Sequence, residues 1–175
     1  MPFSHEMMKL FLLLPIAFAV IYFDVRYRRI PNVIVIATLV AGITLNAAMG
    51  SWWGLLGSAE GIALAFVPMF LMHIFGAMGA GDVKLSGAVG SVLGVSMVPL
   101  ALIIIVMMGA VLAIYSMIRS GRVFSTLHGV LRIFVGIMPG WEMPRFAMPS
   151  DRRHTIPYGV AIMLGSLIAV AVFQR

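Results

Sequence analysis

The sequence lacks cysteine and is poor in charged residues. Without cysteine it can form no disulfide, no thiolate metal site and no cysteine nucleophile. Of its 175 residues only 10% are charged and only six are acidic, whereas 62% are hydrophobic. Soluble globular domains are about one quarter charged and about half apolar. The composition therefore excludes an ordinary soluble domain and predicts an integral membrane protein.

The hydrophobic residues are grouped in six runs, most of them close to the ~20 residues that cross a membrane as a helix. The fourth run is short, and its Gly87, Gly90 and Gly94 share one helix face, where a neighbouring backbone can come close. Basic residues follow the first run, so we expect it to remain as a span and not to be removed as a signal peptide. The sequence therefore predicts an all-α membrane protein with six transmembrane helices. The runs are residues 8–23, 33–49, 52–75, 82–94, 97–118 and 156–173.

Residues 119–154 form a loop region that is richer in basic residues and proline. Within it, apolar residues recur at helical spacing from Val123 to Val135, with polar residues such as His128 and Arg132 between them. This pattern predicts an amphipathic helix on the cytoplasmic surface of the membrane. The alternative is a seventh span, which would place Arg132 near its centre at a cost of about 2.5 kcal/mol or more.

The basic residues predict the orientation of the chain. Every lysine and arginine except Lys9 and Arg175 falls in the first, third and fifth loops. Cytoplasmic loops are enriched in these residues, so both termini are expected outside and the odd loops in the cytoplasm. The net charge of +6 is thereby explained by a lipid bilayer as partner, without nucleic acid. We interpret residues 1–175 as one membrane domain.

Asp24 and Asp82 both lie at the cytoplasmic ends of apolar runs. Asp24 follows the first run and Asp82 begins the fourth, so helix packing could bring them together. Two carboxylates held close in a site with little water cannot easily both ionise. The charged one can then take a proton from water while the protonated one donates to the oxygen of a peptide carbonyl. Such a site needs no metal or cofactor, and the four histidines lack ligand-like spacing.

Structural roles compete with catalytic ones at each acid. Asp82 follows a glycine and could be a helix N-cap, whose carboxylate accepts a backbone N–H of the first turn. Asp24 could pair with Arg26 or Arg28 at the membrane interface. Glu60 lies in the external half of the third run, where we expect it to hydrogen-bond to another helix.

Other residues near the two aspartates have expected roles as well. Lys84 is interpreted as a cytoplasmic anchor whose chain reaches the interface, or as a charge that tunes Asp82. Gly79 and Gly81 are expected to supply backbone angles closed to other residues and to let an extended substrate approach the main chain. Pro31 is expected in the first turn of the second helix.

These residues resemble a known family. Asp24 followed by Ile30-Pro31-Asn32, and Gly79-Ala80-Gly81-Asp82-Val83-Lys84-Leu85 before the fourth run, are similar to the paired motifs of type IV prepilin peptidases, the GxGD aspartic peptidases of bacterial inner membranes. Pro157-Tyr158-Gly159 is similar to a third element of that family. The resemblance implies that Asp24 and Asp82 are catalytic. It implies that the site is shaped by Gly79, Gly81, Lys84, Ile30, Pro31, Asn32, Pro157, Tyr158 and Gly159.

The sequence departs from the family pattern in two ways. Larger members insert a cysteine-bearing cytoplasmic domain between the first spans and methylate the new N-terminus, whereas here the first loop is short and cysteine is absent. The chain therefore resembles the short peptidases of tight-adherence (Flp) pilus systems, and methyltransferase activity is not expected. Val160 stands where the family often has a second proline.

The resemblance also implies a substrate and a location. The substrate would be a pilin-like precursor with a short basic leader and an apolar helix, cut after a glycine at the cytoplasmic face of the inner membrane. The pilus assembly machinery would be a further partner. Two other functions stay open on the residues alone. One is a small transporter or channel subunit with Asp24, Glu60 and Asp82 on a proton or cation path, and the other is a non-catalytic protein of secretion assembly.

Overall fold

The computed structural model describes residues 5–75, 78–120 and 158–173, and the regular structure within these ranges is helical. The all-α prediction is confirmed for this part of the chain. The predicted interfacial helix and Pro157 lie outside the described residues. Of the predicted loop at 119–154, only the last two residues of the fourth helix are described. The helices are α1 (His5–Tyr27), α2 (Asn32–Ile74), α3 (Ala80–Leu93), α4 (Val98–Ser120) and α5 (Tyr158–Phe173).

Helix α2 is a hairpin of two helices. Its backbone leaves the helical region at Ser51, where φ is 51° and ψ is −131°. In a straight helix Asn46 and Ser58 would lie about 18 Å apart, yet the Asn46 amide donates to the Ser58 hydroxyl at 3.0 Å. Gly54 lies against the Asn46 carbonyl and has no room for a side chain. Residues 32–50 and 52–74, which correspond to the second and third apolar runs, therefore pack side by side in opposite directions.

Helix α3 is the most enclosed helix of the described chain, with every residue from Leu85 to Leu93 buried. The α2 hairpin covers it closely. A Cβ atom on Gly90 would lie 2.8 Å from the Cβ of Ala65 and would collide with the backbone of Gly61. A Cβ on Gly42 would lie 2.7 Å from the backbone nitrogen of Val92. The predicted close approach of a second backbone at the α3 glycines is confirmed at Gly90, and small residues of this kind let apolar helices pack tightly in lipid.

A buried polar cluster fastens the hairpin to α3. The Asn46 amide donates to the carbonyl oxygens of Ser91 at 2.7 Å and Val92 at 3.1 Å, and the Ser58 hydroxyl donates to Ser91 at 2.8 Å. The Ser91 hydroxyl in turn bonds the Ala88 carbonyl at 2.6 Å. Buried polar groups are costly unless they are bonded, and here the partners come from both halves of α2 and from α3. The two helices therefore form one rigid unit.

Helix α5 occupies the interior beside α1 and α4. Its buried Ile162 and Met163 join the core with Leu13 and Val20 of α1. A Cβ on Gly165 would lie 2.7 Å from Ile105 Cγ1 of α4, so α4 and α5 are also in close contact. This arrangement brings the N-terminal end of α5 to the C-terminal end of α1.

Within the described residues, three helices are long and apolar enough to cross a membrane, judged by length and composition. They are α1, α2 and residues Val98–Ser116 of α4. Large apolar side chains on their outer faces are exposed; Phe18, Val33 and Trp53 each expose at least three quarters of their surface. A lipid environment removes the cost of exposing such faces to water. These helices and their exposed apolar faces are those of a membrane protein.

Candidate active site

Asp24 lies in the last turn of α1 and is 6% exposed. Its Oδ2 atom has no hydrogen-bond partner among the described residues. The backbone N–H groups of Gly159 and Val160, at the start of α5, face the carboxylate. The charge of Arg28 also reaches it, and the Arg28 N–H donates to the Asp24 carbonyl at 3.1 Å. The side chain of Asp24 is therefore directed into the protein, and a simple interfacial ion pair does not account for its burial.

The surroundings of Asp24 depend on close packing at Gly159. A Cβ on Gly159 would lie 2.8 Å from Asp24 Oδ2 and 3.1 Å from Ile30 Cδ1. Arg28 has a φ of 52°, which is the left-handed region, and it turns the chain sharply after α1. This turn precedes Ile30, whose side chain then packs beside Gly159. Only a residue without a side chain fits between the aspartate and the isoleucine.

Asp82 is the third residue of α3 and is half-buried. The helix begins earlier than the sequence predicted, and Gly79 is its N-cap. The interpretation of Asp82 as the N-cap is therefore wrong. The Gly79 N–H instead faces the Asp82 carboxylate, as in the half of a capping box in which the third residue reaches back. This contact orients the carboxylate while leaving part of it accessible.

The two motif glycines do not serve the backbone freedom that the sequence suggested. Gly79 has φ −72° and ψ 145°, which any residue can adopt. Its lack of a side chain matters because a Cβ would lie 3.0 Å from Asp82 Oδ2. Gly81 lies within the helix, and apart from its own stretch of helix no atom of the described residues lies within 4 Å of the place where its Cβ would be. Open space therefore adjoins Asp82 on the Gly81 side.

Asp24 and Asp82 lie at the same end of the helix bundle, and the Asp82 carboxylate is within electrostatic range of Asp24. Tyr158, the first residue of α5, is within the same range of Asp82. Its ring lies on Gly109 of α4, where a Cβ would be 2.7 Å from the Tyr158 hydroxyl. Three helices thus contribute polar groups to one place, and a fourth makes room for the phenol. Sequence reasoning missed Gly109, whose only local signal is a glycine inside an apolar run.

The other residues of the predicted site are placed less centrally. Pro31 is the N-cap of α2, so the prediction that it lies in the first turn is wrong; its carbonyl accepts the Ile34 N–H at 3.0 Å. Asn32 and Lys84 are exposed, and no hydrogen bond or ion pair described here joins either to a carboxylate. Pro157 lies outside the described residues.

Glu60 lies apart from this end of the bundle. It is exposed on α2 and has no hydrogen-bond or ion-pair partner within the described ranges. The expected hydrogen bond to another helix is not made among the residues that the structure describes. Across the same ranges, no three histidine, aspartate or glutamate side chains converge as a metal-binding set would.

Comparison with known proteins gives two matches. Residues 11–114, which include both aspartates, match the model of the type IV leader peptidase family. The chain is also similar to the prepilin leader peptidase/N-methyltransferase of Bacillus subtilis (strain 168), with 32% identity over 149 residues. That alignment covers 83% of this chain and 48% of the relative, so the chain spans about half the length of this curated protein. No solved structure matches the chain.

Proposed function

Because the chain belongs to the type IV leader peptidase family, we propose that it is a membrane aspartic endopeptidase that removes the short basic leader from type IV prepilins. Asp24 and Asp82 are the catalytic pair of this proposal. The observation that supports it is that both carboxylates lie at one end of the bundle within electrostatic range of each other, with Asp24 Oδ2 buried and unbonded among the described residues. A buried acceptor without a partner is rare in a folded protein and calls for an explanation. In this proposal a water molecule or the substrate donates the missing hydrogen bond to Asp24 Oδ2.

The proposed mechanism uses the pair to activate water. One aspartate is charged and takes a proton from water as the water oxygen bonds to the carbonyl carbon of the scissile peptide. The other aspartate is protonated and gives its proton to the carbonyl oxygen. The resulting diol then collapses: one hydroxyl returns its proton to the second aspartate, the C–N bond breaks, and the amine takes the proton held by the first. The pair ends with the single proton it began with.

The proposed site suits an extended segment of substrate. Open space beside Gly81 gives a peptide access to the main chain next to Asp82. A prepilin of the expected kind keeps its basic leader in the cytoplasm and its apolar helix in the membrane, so its scissile bond would lie at the interface. The proposal places both aspartates at that interface, on the cytoplasmic side of a bacterial inner membrane.

The topology in this proposal has six spans with both termini outside. The two halves of α2 supply the second and third spans, because the hairpin reverses the chain at Ser51. The charge asymmetry of the loops supports the orientation. The short connection between α1 and α2 and the lack of cysteine support the short form of the family that serves tight-adherence (Flp) pili, without N-methyltransferase activity.

The proposal is tested by changing Asp82 to Asn and following leader removal. The substrate is a precursor with a basic leader, a glycine before the cut, a glutamate beyond it and an apolar helix, co-expressed with each variant. We expect wild-type protein to release the leader and Asp82→Asn to leave it attached, with both accumulating equally in membranes. Full processing by Asp82→Asn would refute the proposed role.

Glu60→Gln is the matched control, since it makes the same acid-to-amide change at an exposed position away from the two aspartates. We expect it to cleave like the wild type. It also tests the transporter alternative, which needs acids along one path through the membrane. Proton flux in proteoliposomes that Glu60→Gln abolishes would favour transport over cleavage.

A further inference from the structure

Lys9 is buried at the opposite end of the bundle from the aspartates. It lies near the start of α1 and is 7% exposed. Its Nζ atom donates to the carbonyl oxygen of Leu93 at 3.1 Å and lies 4.0 Å from Met97 Sδ. In the sequence Lys9 looked like a flanking charge outside the membrane. The structure instead places its amine inside, on the last carbonyls of α3.

The contact has a clear electrostatic basis. The last four carbonyls of a helix lack partners within the helix and carry the negative end of its dipole. A lysine amine on the Leu93 carbonyl satisfies one of them. A buried cation is nevertheless costly, and apolar residues in such places often give equal or greater stability. Stability alone is therefore a poor reason for a lysine here, and a role in fixing the relative position of two helices is a better one.

The relative position of α1 and α3 determines how Asp24 and Asp82 lie relative to each other. Asp24 follows Lys9 in α1 by about 22 Å of helix, and Asp82 precedes Leu93 in α3 by about 16 Å. The two helices run in opposite directions, so Lys9 meets the end of α3 that is distant from Asp82. Helices of this length are stiff along their axes. Sliding of α1 along α3 at the Lys9 end would therefore displace Asp24 relative to Asp82.

The attachment of α3 to the rest of the bundle is uneven. The polar cluster of Asn46, Ser58 and Ser91 ties α3 to the α2 hairpin. Between α1 and α3, the Lys9 bond is a specific polar contact at the end away from the aspartates. Apolar packing between helices is less directional than a hydrogen bond and specifies the axial position less sharply.

We propose that Lys9 is a positioning residue that sets the axial position of α1 against α3 and thereby the separation of the Asp24 and Asp82 carboxylates. Its effect on cleavage rests on the proposed peptidase function. Its effect on helix position does not. Glu6 lies one turn before Lys9 and interacts with it electrostatically, but the proposal assigns the positioning to the bond from Lys9 to the Leu93 carbonyl.

The test measures helix position and catalysis separately in the full-length protein. Lys9→Met removes the charge and keeps a long apolar side chain. Because the sequence has no cysteine, spin labels can be placed at Phe18→Cys on α1 and Ala80→Cys on α3, both exposed positions. We expect Lys9→Met to shift or broaden the distance distribution between the labels. In unlabelled protein we expect kcat to fall roughly tenfold to 100-fold with KM nearly unchanged, as for a misplaced catalytic group.

Two further variants sharpen the result. Lys9→Arg retains a cationic donor and is expected to recover most of the rate and the narrow distance distribution. Glu6→Gln keeps the bond to Leu93 and is expected to leave both unchanged. An unchanged distance distribution in Lys9→Met would overturn the proposal, and so would a changed distribution with a normal kcat. Failure of the wild type to cleave would instead count against the peptidase function, while the distances would still decide whether Lys9 positions α1.

Discussion

Polar side chains are buried at several places in the bundle, and two of these places differ in how their polar groups are bonded. In the cluster of Asn46, Ser58 and Ser91 the buried side chains have bonded partners on neighbouring helices. At the aspartate pair, Asp24 Oδ2 is buried without a partner among the described residues. Buried polar groups that only hold a structure together are normally bonded. The comparison therefore separates a cluster that holds helices together from the proposed active site, where the proposal assigns the missing partner of Asp24 to water or substrate.

The sharpest test of this difference is Asp24→Asn. The amide keeps the size of the side chain but removes the charge and the ability to exchange a proton. We expect leader removal to fall roughly 10²- to 10⁴-fold, the usual contribution of a positioned acid or base. The thermal midpoint in detergent should change little, because Asp24 Oδ2 has no bonded partner among the described residues and an amide oxygen can still accept from the Gly159 and Val160 N–H groups that face the carboxylate.

Cleavage assays and thermal unfolding of the same preparations check both parts of this prediction. A strongly lowered midpoint would place Asp24 with the structural cluster. An unchanged rate would remove it from the catalytic pair.

The next largest effect is expected from Gly159→Ala. A methyl group there would lie 2.8 Å from Asp24 Oδ2 and close to Ile30, so the carboxylate must move. Displacement of a catalytic group by about 1 Å can cost roughly 100-fold in rate, and we expect a loss of that order in kcat. Gly57→Ala is the matched control, because among the described residues no atom outside its own stretch of helix lies within 4 Å of a Cβ there. Equal rates for the two variants would show that the packing at Gly159 does not position Asp24.

The sequence predicted the local parts of the site better than its surroundings. Asp24 and Asp82 could be proposed as the catalytic pair because each lies at the edge of an apolar run within a short motif. The capping role of Asp82 was misassigned, since the start of a helix shifts easily by two residues. The expected approach of a substrate at Gly81 stays a prediction. The backbone freedom expected at Gly79 is wrong, because Gly79 has ordinary dihedral angles and its missing side chain instead makes room for the Asp82 carboxylate.

Contacts between residues that are far apart in the sequence could not be predicted from local motifs. The amide of Asn46 finds partners at Ser58 and Ser91, and nothing in the local sequence specifies which helix faces which. The phenol of Tyr158 against Gly109 and the amine of Lys9 on Leu93 likewise join residues far apart in the chain. Periodicity marks a face of a helix as apolar or small but does not name its neighbour.

The structural role of the buried polar cluster is tested by Asn46→Ala. Removal of the amide leaves the carbonyls of Ser91 and Val92 with fewer donors, and we expect a loss of about 1 to 3 kcal/mol in the free energy of unfolding. The cleavage rate per folded molecule should stay within about twofold of the wild type, because this cluster lies outside the proposed site. Thr44→Ala is the control, since the exposed Thr44 hydroxyl bonds only carbonyls of its own helix. If Asn46→Ala lowers the cleavage rate per folded molecule more than it lowers the stability, the polar cluster is not separate in function from the proposed active site.

The smallest expected effect is that of Tyr158→Phe. This variant tests whether the Tyr158 hydroxyl has a structural role or a role in the proposed active site. The ring would still fill the space above Gly109, so the packing of α5 on α4 is retained. Tyr158 lies within electrostatic range of Asp82, and a hydrogen bond from its hydroxyl to the substrate or to the aspartate pair would be worth about 1 kcal/mol. We therefore expect a fall of roughly fivefold in kcat with an unchanged thermal midpoint. Tyr115→Phe removes an exposed hydroxyl from α4 and should leave the rate intact. If Tyr158→Phe lowers the midpoint and spares kcat, the hydroxyl is part of the scaffold; the reverse pattern makes it a group that the substrate or the aspartate pair uses.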